Sequence, residues 1–142
     1  MENRYLFRAK RKDNGEWVEG CLLKRWDGLW IFSIDFRFAD LIIPSTLCQC
    51  TGLKDKNGKL IWENDIVKFE DCGEEGYEYK EGFDFENKAR VEFAEGRWSL
   101  TDFESDNSAV IDEMYNHDEF MGLWGECEVI GNKFDNPEML EV

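Results

Sequence analysis

Residues 51–69, TGLKDKNGKLIWENDIVKF, decide how this chain folds. Two polar corners flank a short apolar run. Asn57-Gly58 is a strong turn signal, because both residues tolerate the positive φ that a tight type I′ hairpin requires. Leu60-Ile61-Trp62 then reads as a brief strand, Glu63-Asn64-Asp65 as a second corner, and Ile66-Val67-Lys68-Phe69 as another strand. Punctuation this dense specifies a small, tightly turned β structure. It specifies no reaction.

The same grammar extends in both directions. Tyr5, Phe7 and Ala9 alternate with Arg4, Arg8 and Lys10, as a strand with one buried face would. Asp13-Asn14-Gly15 and Asp27-Gly28 are turn signals, and Leu29-Trp30-Ile31-Phe32 after the second reads as a central strand. Residues 47–51 form another short strand. Residues 70–86, acidic and glycine-containing, read as a long loop or an extended excursion leading to a strand at 89–93 that pairs with Trp98-Ser99-Leu100. A short helix is expected near 108–121, with Ser108 as N-cap. Residues 126–132 read as the last strand, and Pro137 begins a C-terminal helical turn. The expected fold is mainly β with minor α, a small antiparallel SH3-like barrel or sandwich.

A chain of 142 residues fits one domain, here 1–142, with a division into sub-lobes 1–50 and 51–142 left open. It is long enough to bury a core without metal or disulfide staples. The 11 Phe, 6 Trp and 4 Tyr favour strands and large buried area per residue. No apolar run approaches the ~20 residues that span a bilayer, and Glu2, Arg4 and Arg8 break any signal-peptide core, so no membrane is expected. The five cysteines are then reduced thiols, and the expected location is the cytoplasm.

Charge is uneven. Residues 1–60 hold 11 Lys/Arg against 8 Asp/Glu, whereas residues 61–142 hold 6 against 24, for a formal net charge of −15. A negative field of this size repels phosphates and disfavours nucleic acid as a partner. A basic protein is the complementary choice.

Candidate chemistry is sparse. Cys48-Gln49-Cys50 has one-residue spacing where zinc knuckles need two to four, and residues 48 and 50 share a strand face, so both read as small core residues. His117, the single histidine, stands beside Asp118 with no nucleophile placed next to it. Asp102, Glu104 and Asp106 alternate as in part of a calcium loop, but Asn107 stands where the sixth position needs Gly, with Glu113 at the twelfth, and the segment reads as a solvated loop. No catalytic residue, metal site or cofactor is therefore assigned, and the chain reads as a non-enzyme.

Three stretches carry a family resemblance: residues 4–9 (RYLFRA), residues 51–69, and residues 128–140 (EVIGNKFDNPEML). Together they resemble the signature of the YopX-like proteins, which are encoded by phages and prophages. The resemblance implies a mainly β fold, a phage-related setting and no established activity. Its motif residues fall here on Thr51, Gly52, Leu53, Asp55, Asn57, Gly58, Trp62, Asp65, Ile66, Val67, Gly131, Asn132, Asn136 and Pro137. Family members often carry Gly at the position of Asn64, and Asn also tolerates left-handed geometry.

The functional expectation is a phage or prophage accessory protein that binds a host or phage protein through its acidic surface, in a sharper form by imitating nucleic acid. Two alternatives stand beside it. One is a small nucleic-acid-binding module using the basic strands of the N-terminal half, and the other is a self-assembling structural component, a homo-oligomer.

Overall fold

The protein is seen in a computed structural model that describes residues 5–33, 38–73, 83–94, 96–105, 108, 110–111, 114 and 122–140. Ten strands are described: β1 (Phe7–Lys10), β2 (Trp17–Arg25), β3 (Gly28–Ser33), β4 (Ala39–Leu41), β5 (Cys48–Lys54), β6 (Leu60–Trp62), β7 (Asp65–Gly73), β8 (Phe83–Ala94), β9 (Arg97–Thr101) and β10 (Glu128–Asn132). They form two sheets, ordered β4-β3-β2-β1-β5-β6 and β10-β7-β8-β9, and every pairing recorded in register is antiparallel. The mainly β expectation holds. The strands make two sheets where a single closed barrel was one of the options.

The chain divides into two compact units, Met1–Gly52 and Leu53–Val142. In the first, Ala9, Ile31 and Ile42 are buried, with Phe7, Val18, Leu29 and Leu47 packed against them. The bridge Arg11↔Ile42 and the bond from Ile43 N to Lys10 O (2.9 Å) bring the end of β4 back against the end of β1. Gly20 is required where β2 meets β3, because a Cβ there would lie on the carbonyl oxygen of Phe32. The strand begins at Phe7, so Leu6 is buried and Tyr5 is exposed, the reverse of the simple alternation.

The second unit has the larger core. Ile61, Val67, Phe69, Ala89, Val91, Leu100, Val110, Leu123, Trp124 and Cys127 form one buried cluster. Each large apolar side chain here adds about 1.5–3 kcal/mol of transfer free energy.

Two expectations are corrected by this unit, and another lies largely outside the described residues. Residues 70–73 and 83–86 are not loop: β7 runs to Gly73 and β8 starts at Phe83, paired from Ile66↔Arg90 out to Gly73↔Phe83. Acidic composition misled, because one face of a long two-stranded ribbon tolerates carboxylates. The helix expected near 108–121 falls mostly outside the described residues. What is described is one helical turn at 110–111, closed by Met114 N to Val110 O at 3.0 Å, and a 3₁₀ turn at Trp124–Glu126. The C-terminal turn at Pro137–Leu140 is present as a 3₁₀ helix.

The second correction concerns Asn57-Gly58. Only Gly58 has positive φ (78°), so the turn is not type I′. Gly58 N bonds Asp55 O at 3.0 Å and Asp55 N bonds Lys59 O at 2.8 Å. This is the three-residue loop in which a type I turn is followed by one left-handed glycine. The side chain of Asp55 explains the choice, since it holds the turn open from inside.

Candidate functional site: turn knots and charged surfaces

The motif residues assemble into three local knots. In the first, Asp55 is buried at 6% exposure and its carboxylate accepts three backbone N–H groups: Asn57 and Lys59 on Oδ1 (2.9 Å each) and Val129 on Oδ2 (3.0 Å). Burial alone would push its pKa up. The bonds from Val129, Lys59 and Asn57, with the Lys59 charge, outweigh this and hold the carboxyl below its ordinary range. Lys56 N adds a bond to Cys127 O at 2.8 Å, fastening the β5–β6 turn to the start of β10.

In the second knot, Trp62 N donates to Asp65 Oδ2 (2.8 Å) across the corner at Glu63-Asn64, and Asn64 has φ 70°. Asn64 N donates to Val91 O (2.8 Å), and Asn64 O accepts from Lys133 N (2.9 Å). Ile66 and Val67 then enter the core fully buried.

The third knot belongs to Asn132. Its side-chain oxygen accepts from Phe134 N and Asp135 N (2.9 Å each), and its own N–H donates to Asn136 Oδ1 at 3.2 Å. Asn136 sits so close that a Cβ at Gly131 would meet its Oδ1 at 2.5 Å. Pro137 follows as the first residue of the last 3₁₀ turn. Thr51 is buried, Gly52 has φ 79° inside β5, and Leu53 packs against the core. Every motif residue thus has a conformational or packing role.

Sequence reasoning missed a buried polar network. Asp71 and Asn87 are 3% and 0% exposed, and Asn87 Nδ2 donates to Asp71 Oδ2 at 3.0 Å. Ser108 Oγ donates to the same oxygen, and Val110 N reaches Asp71 Oδ1 at 3.3 Å. Asn87 also donates to Ser105 O (3.1 Å) and accepts from Ser105 N (3.1 Å). The expected N-cap, Ser108, therefore spends its proton on Asp71, and a carboxylate from β7 binds the N–H of Val110. The sequence signal was the phase of Asp71, which falls on the buried face with Val67 and Phe69.

The opposite face of the same sheet is charged. Glu128 stands opposite Lys68 in β7, and Lys68 opposite Lys88 in β8. Both lysines turn outward to carboxylates: Lys68 Nζ to Glu128 at 3.3 Å and Lys88 Nζ to Glu104 at 3.5 Å. Lys56 Nζ joins Glu128 at 3.5 Å, and the Lys68 hydrogen bond, then the two lysine charges, hold Glu128 below its ordinary range against a small burial cost. Two residues further on, Glu70 stands directly opposite Glu86, both exposed, and neither has a cation partner among the described residues. Like charges opposite each other disfavour a sheet.

The first unit presents the reverse character. Arg8 and Lys10 lie over the Trp17 ring at 4.8 and 5.4 Å, and Arg25 over Trp30 at 5.2 Å. Residues 22–26 are all exposed, with Trp26 at 92%. A recess of about 360 Å³ opens beside Arg11, Lys12, Trp30 and Asp40, where Arg11 Nε meets Asp40 at 3.4 Å. It holds an ion pair, with Lys12 and Asp13 also on its lining.

Among the described residues no group of three or more His, Cys, Asp or Glu is arranged to hold a metal ion. Cys48 and Cys50 are both fully buried, in line with the core reading. Cys21, Cys48, Cys50 and Cys127 are free thiols. Burial, then the charges of Glu126 and Asp55, push the Cys127 thiol up to about 12. His117, Asp106 and Asp118 lie outside the described residues. No helix among the described residues is long and apolar enough to cross a membrane.

These features define a mainly β protein of two antiparallel sheets whose signature residues tie turns. A family model described as YopX protein matches residues 6–141, and the chain belongs to the YopX family. A solved structure, protein EF1440 from Enterococcus faecalis, is similar at 22% identity and a TM-score of 0.48, with 95% of this chain and 96% of that chain covered. No curated protein matches.

Proposed function

We propose that this protein is a non-enzymatic accessory protein that binds a basic protein partner through the acidic sheet of its second unit. The observation that carries the reading is the exposed cross-strand pair Glu70↔Glu86. Two carboxylates in that register disfavour the sheet unless a cation stands between them, and a partner's Lys or Arg would supply one. Composition supports the same side: Met1–Gly52 holds 8 Lys/Arg against 7 Asp/Glu, and Leu53–Val142 holds 9 against 25.

The family resemblance suggests a phage or prophage protein acting in the bacterial cytoplasm. In its sharper form the carboxylate array imitates nucleic acid and occupies a basic host protein, duplex DNA carrying about one charge per 1.7 Å. Pull-down from bacterial lysate tests the reading. A basic protein retained at moderate salt and released at high salt supports it, and loss of retention with Glu70→Lys/Glu86→Lys assigns the surface. An empty eluate at moderate salt removes it.

A further inference from the structure

The most conspicuous unexplained feature is the end of the β2–β3 hairpin. Successive strand residues point to opposite faces, so the exposure of every residue from 22 to 25 means that the end of β2 meets solvent on both faces, while its partner β3 keeps Ile31 buried and Leu29 against the core. The ribbon carries Leu22 at 36%, Leu23 at 38% and Trp26 at 92% exposure. Trp26 occupies the two-residue tip with Asp27, since Arg25 pairs with Gly28. Lys24 has no ion-pair partner among the described residues, and Arg25 lies over Trp30 with Asp27 at 3.9 Å. A bare Trp flanked by Leu, Lys and Arg costs solubility and matches the residue types that dominate binding energy in interfaces.

We propose that this ribbon docks on the acidic sheet of a second copy of the chain, so that copies associate head to tail. The inference rests on the preceding reading of that sheet as a binding surface, and it names one basic partner for it. Charge complementarity carries the choice of occupant. The ribbon offers Lys24 and Arg25, and the sheet offers Glu70 and Glu86 without a cation, in a unit where acidic residues outnumber basic ones 25 to 9. Anionic lipid and nucleic acid would also accept the ribbon, and both are outcomes of the test below; the second copy is the occupant whose matching carboxylates the chain itself carries. A second copy presents its carboxylates locally, and beyond about 8 Å the repulsion between whole copies is screened at physiological salt. Because donor and acceptor surfaces differ, the contact is heterologous and continues from copy to copy unless it closes in a ring.

Sedimentation velocity on the full chain, from about 1 to about 100 µM at about 0.15 M salt, reads the association directly. The wild type should shift to larger species with concentration. Trp26→Ala, and separately Lys24→Gln/Arg25→Gln, should weaken association on the order of tenfold or more. Glu70→Gln/Glu86→Gln should do the same from the other side. Mixing Lys24→Gln/Arg25→Gln with Glu70→Gln/Glu86→Gln leaves one intact ribbon and one intact sheet, and the mixture should form dimers that stop at two chains.

A wild type that stays monomeric over the whole range overturns the inference, as does a mixture that stays monomeric. So does a wild type whose association is unchanged by the ribbon substitutions, or one that assembles only on adding a single-stranded oligonucleotide or anionic vesicles. A monomeric wild type that still retains basic protein in the pull-down removes only this inference. No association together with an empty pull-down removes the acidic-surface reading as well.

Discussion

Arg90 Nη1 donates a 2.8 Å hydrogen bond to the side-chain oxygen of Asn64, a residue held at φ 70°. Arg90 Nε reaches Asp102 Oδ2, also at 2.8 Å, and Asp102 has φ 54°. One guanidinium on β8 thus clamps both non-glycine residues with positive φ among the described residues. The corner that ends β6 is fixed by its own backbone bonds and by a side chain from the neighbouring sheet strand.

Asn64 should therefore accept glycine far better than a branched residue. Glycine keeps the left-handed backbone and loses one partly exposed hydrogen bond, so Asn64→Gly should change stability by no more than about 1 kcal/mol. Asn64→Val should cost about 2 kcal/mol or more, since it adds the left-handed strain to that loss. Urea denaturation of both variants checks the order, and equal costs would refute the corner account.

Asp55 predicts a pH dependence. Its folded pKa lies below the ordinary carboxyl value of 3.8, so its contribution is present above that pH and is lost as pH falls through the folded pKa. Asp55→Ala, which strands the N–H groups of Asn57, Lys59 and Val129, should cost about 3 kcal/mol or more at neutral pH. The gap in urea midpoint between wild type and variant should hold from neutral pH down to about 5 and narrow below the ordinary carboxyl value. A gap that widens on acidification would contradict the assignment.

Cys127 should be chemically silent in the folded protein. It is fully buried, and burial raises its thiol to about 12, so the thiolate is scarce at neutral pH. A thiol-specific reagent should label it only after denaturation. Labelling at the rate of a free exposed thiol would show that the β10 side of the core is open.

The Asp71–Asn87 pair should be costly to break from either side. Asn87→Leu removes one donor from Asp71 and the bonds that Asn87 makes to the Ser105 N–H and carbonyl, for an expected loss of at least about 2 kcal/mol. Asp71→Leu should cost as much or more and should also release the segment from Ser105 to Val110, seen as faster amide exchange at Val110. Unchanged exchange at Val110 would mean that the carboxylate does not anchor that turn.

Much of the fold was legible because local signals and burial agree. Gly15, Gly28, Gly58 and Gly96 all sit at positive φ beside hairpin turns, and the apolar runs at 29–32 and 66–69 became β3 and the buried start of β7. Local chemistry failed where a distant partner decides. Asp55 replaces the turn type that Asn57-Gly58 prefers, because Val129 is 74 residues away. Residues 70–73 and 83–86 looked too acidic for strands, yet Asp71 is buried by Asn87 and Ser108, and Glu70 and Glu86 face outward. The ribbon tip was readable as a hairpin. The exposure of successive residues 22–25 along β2 was not, since strand alternation alone assigns one face to a core.

The most direct test of the central claim is retention of a basic protein from bacterial lysate by the wild-type chain beside Glu70→Lys/Glu86→Lys, washed at about 0.1 M and then about 1 M salt, where screening lengths fall from about 10 Å to about 3 Å. The account predicts retention by the wild type at the lower salt, release at the higher, and none by the variant. Equal retention by both proteins, or none by either, would contradict it.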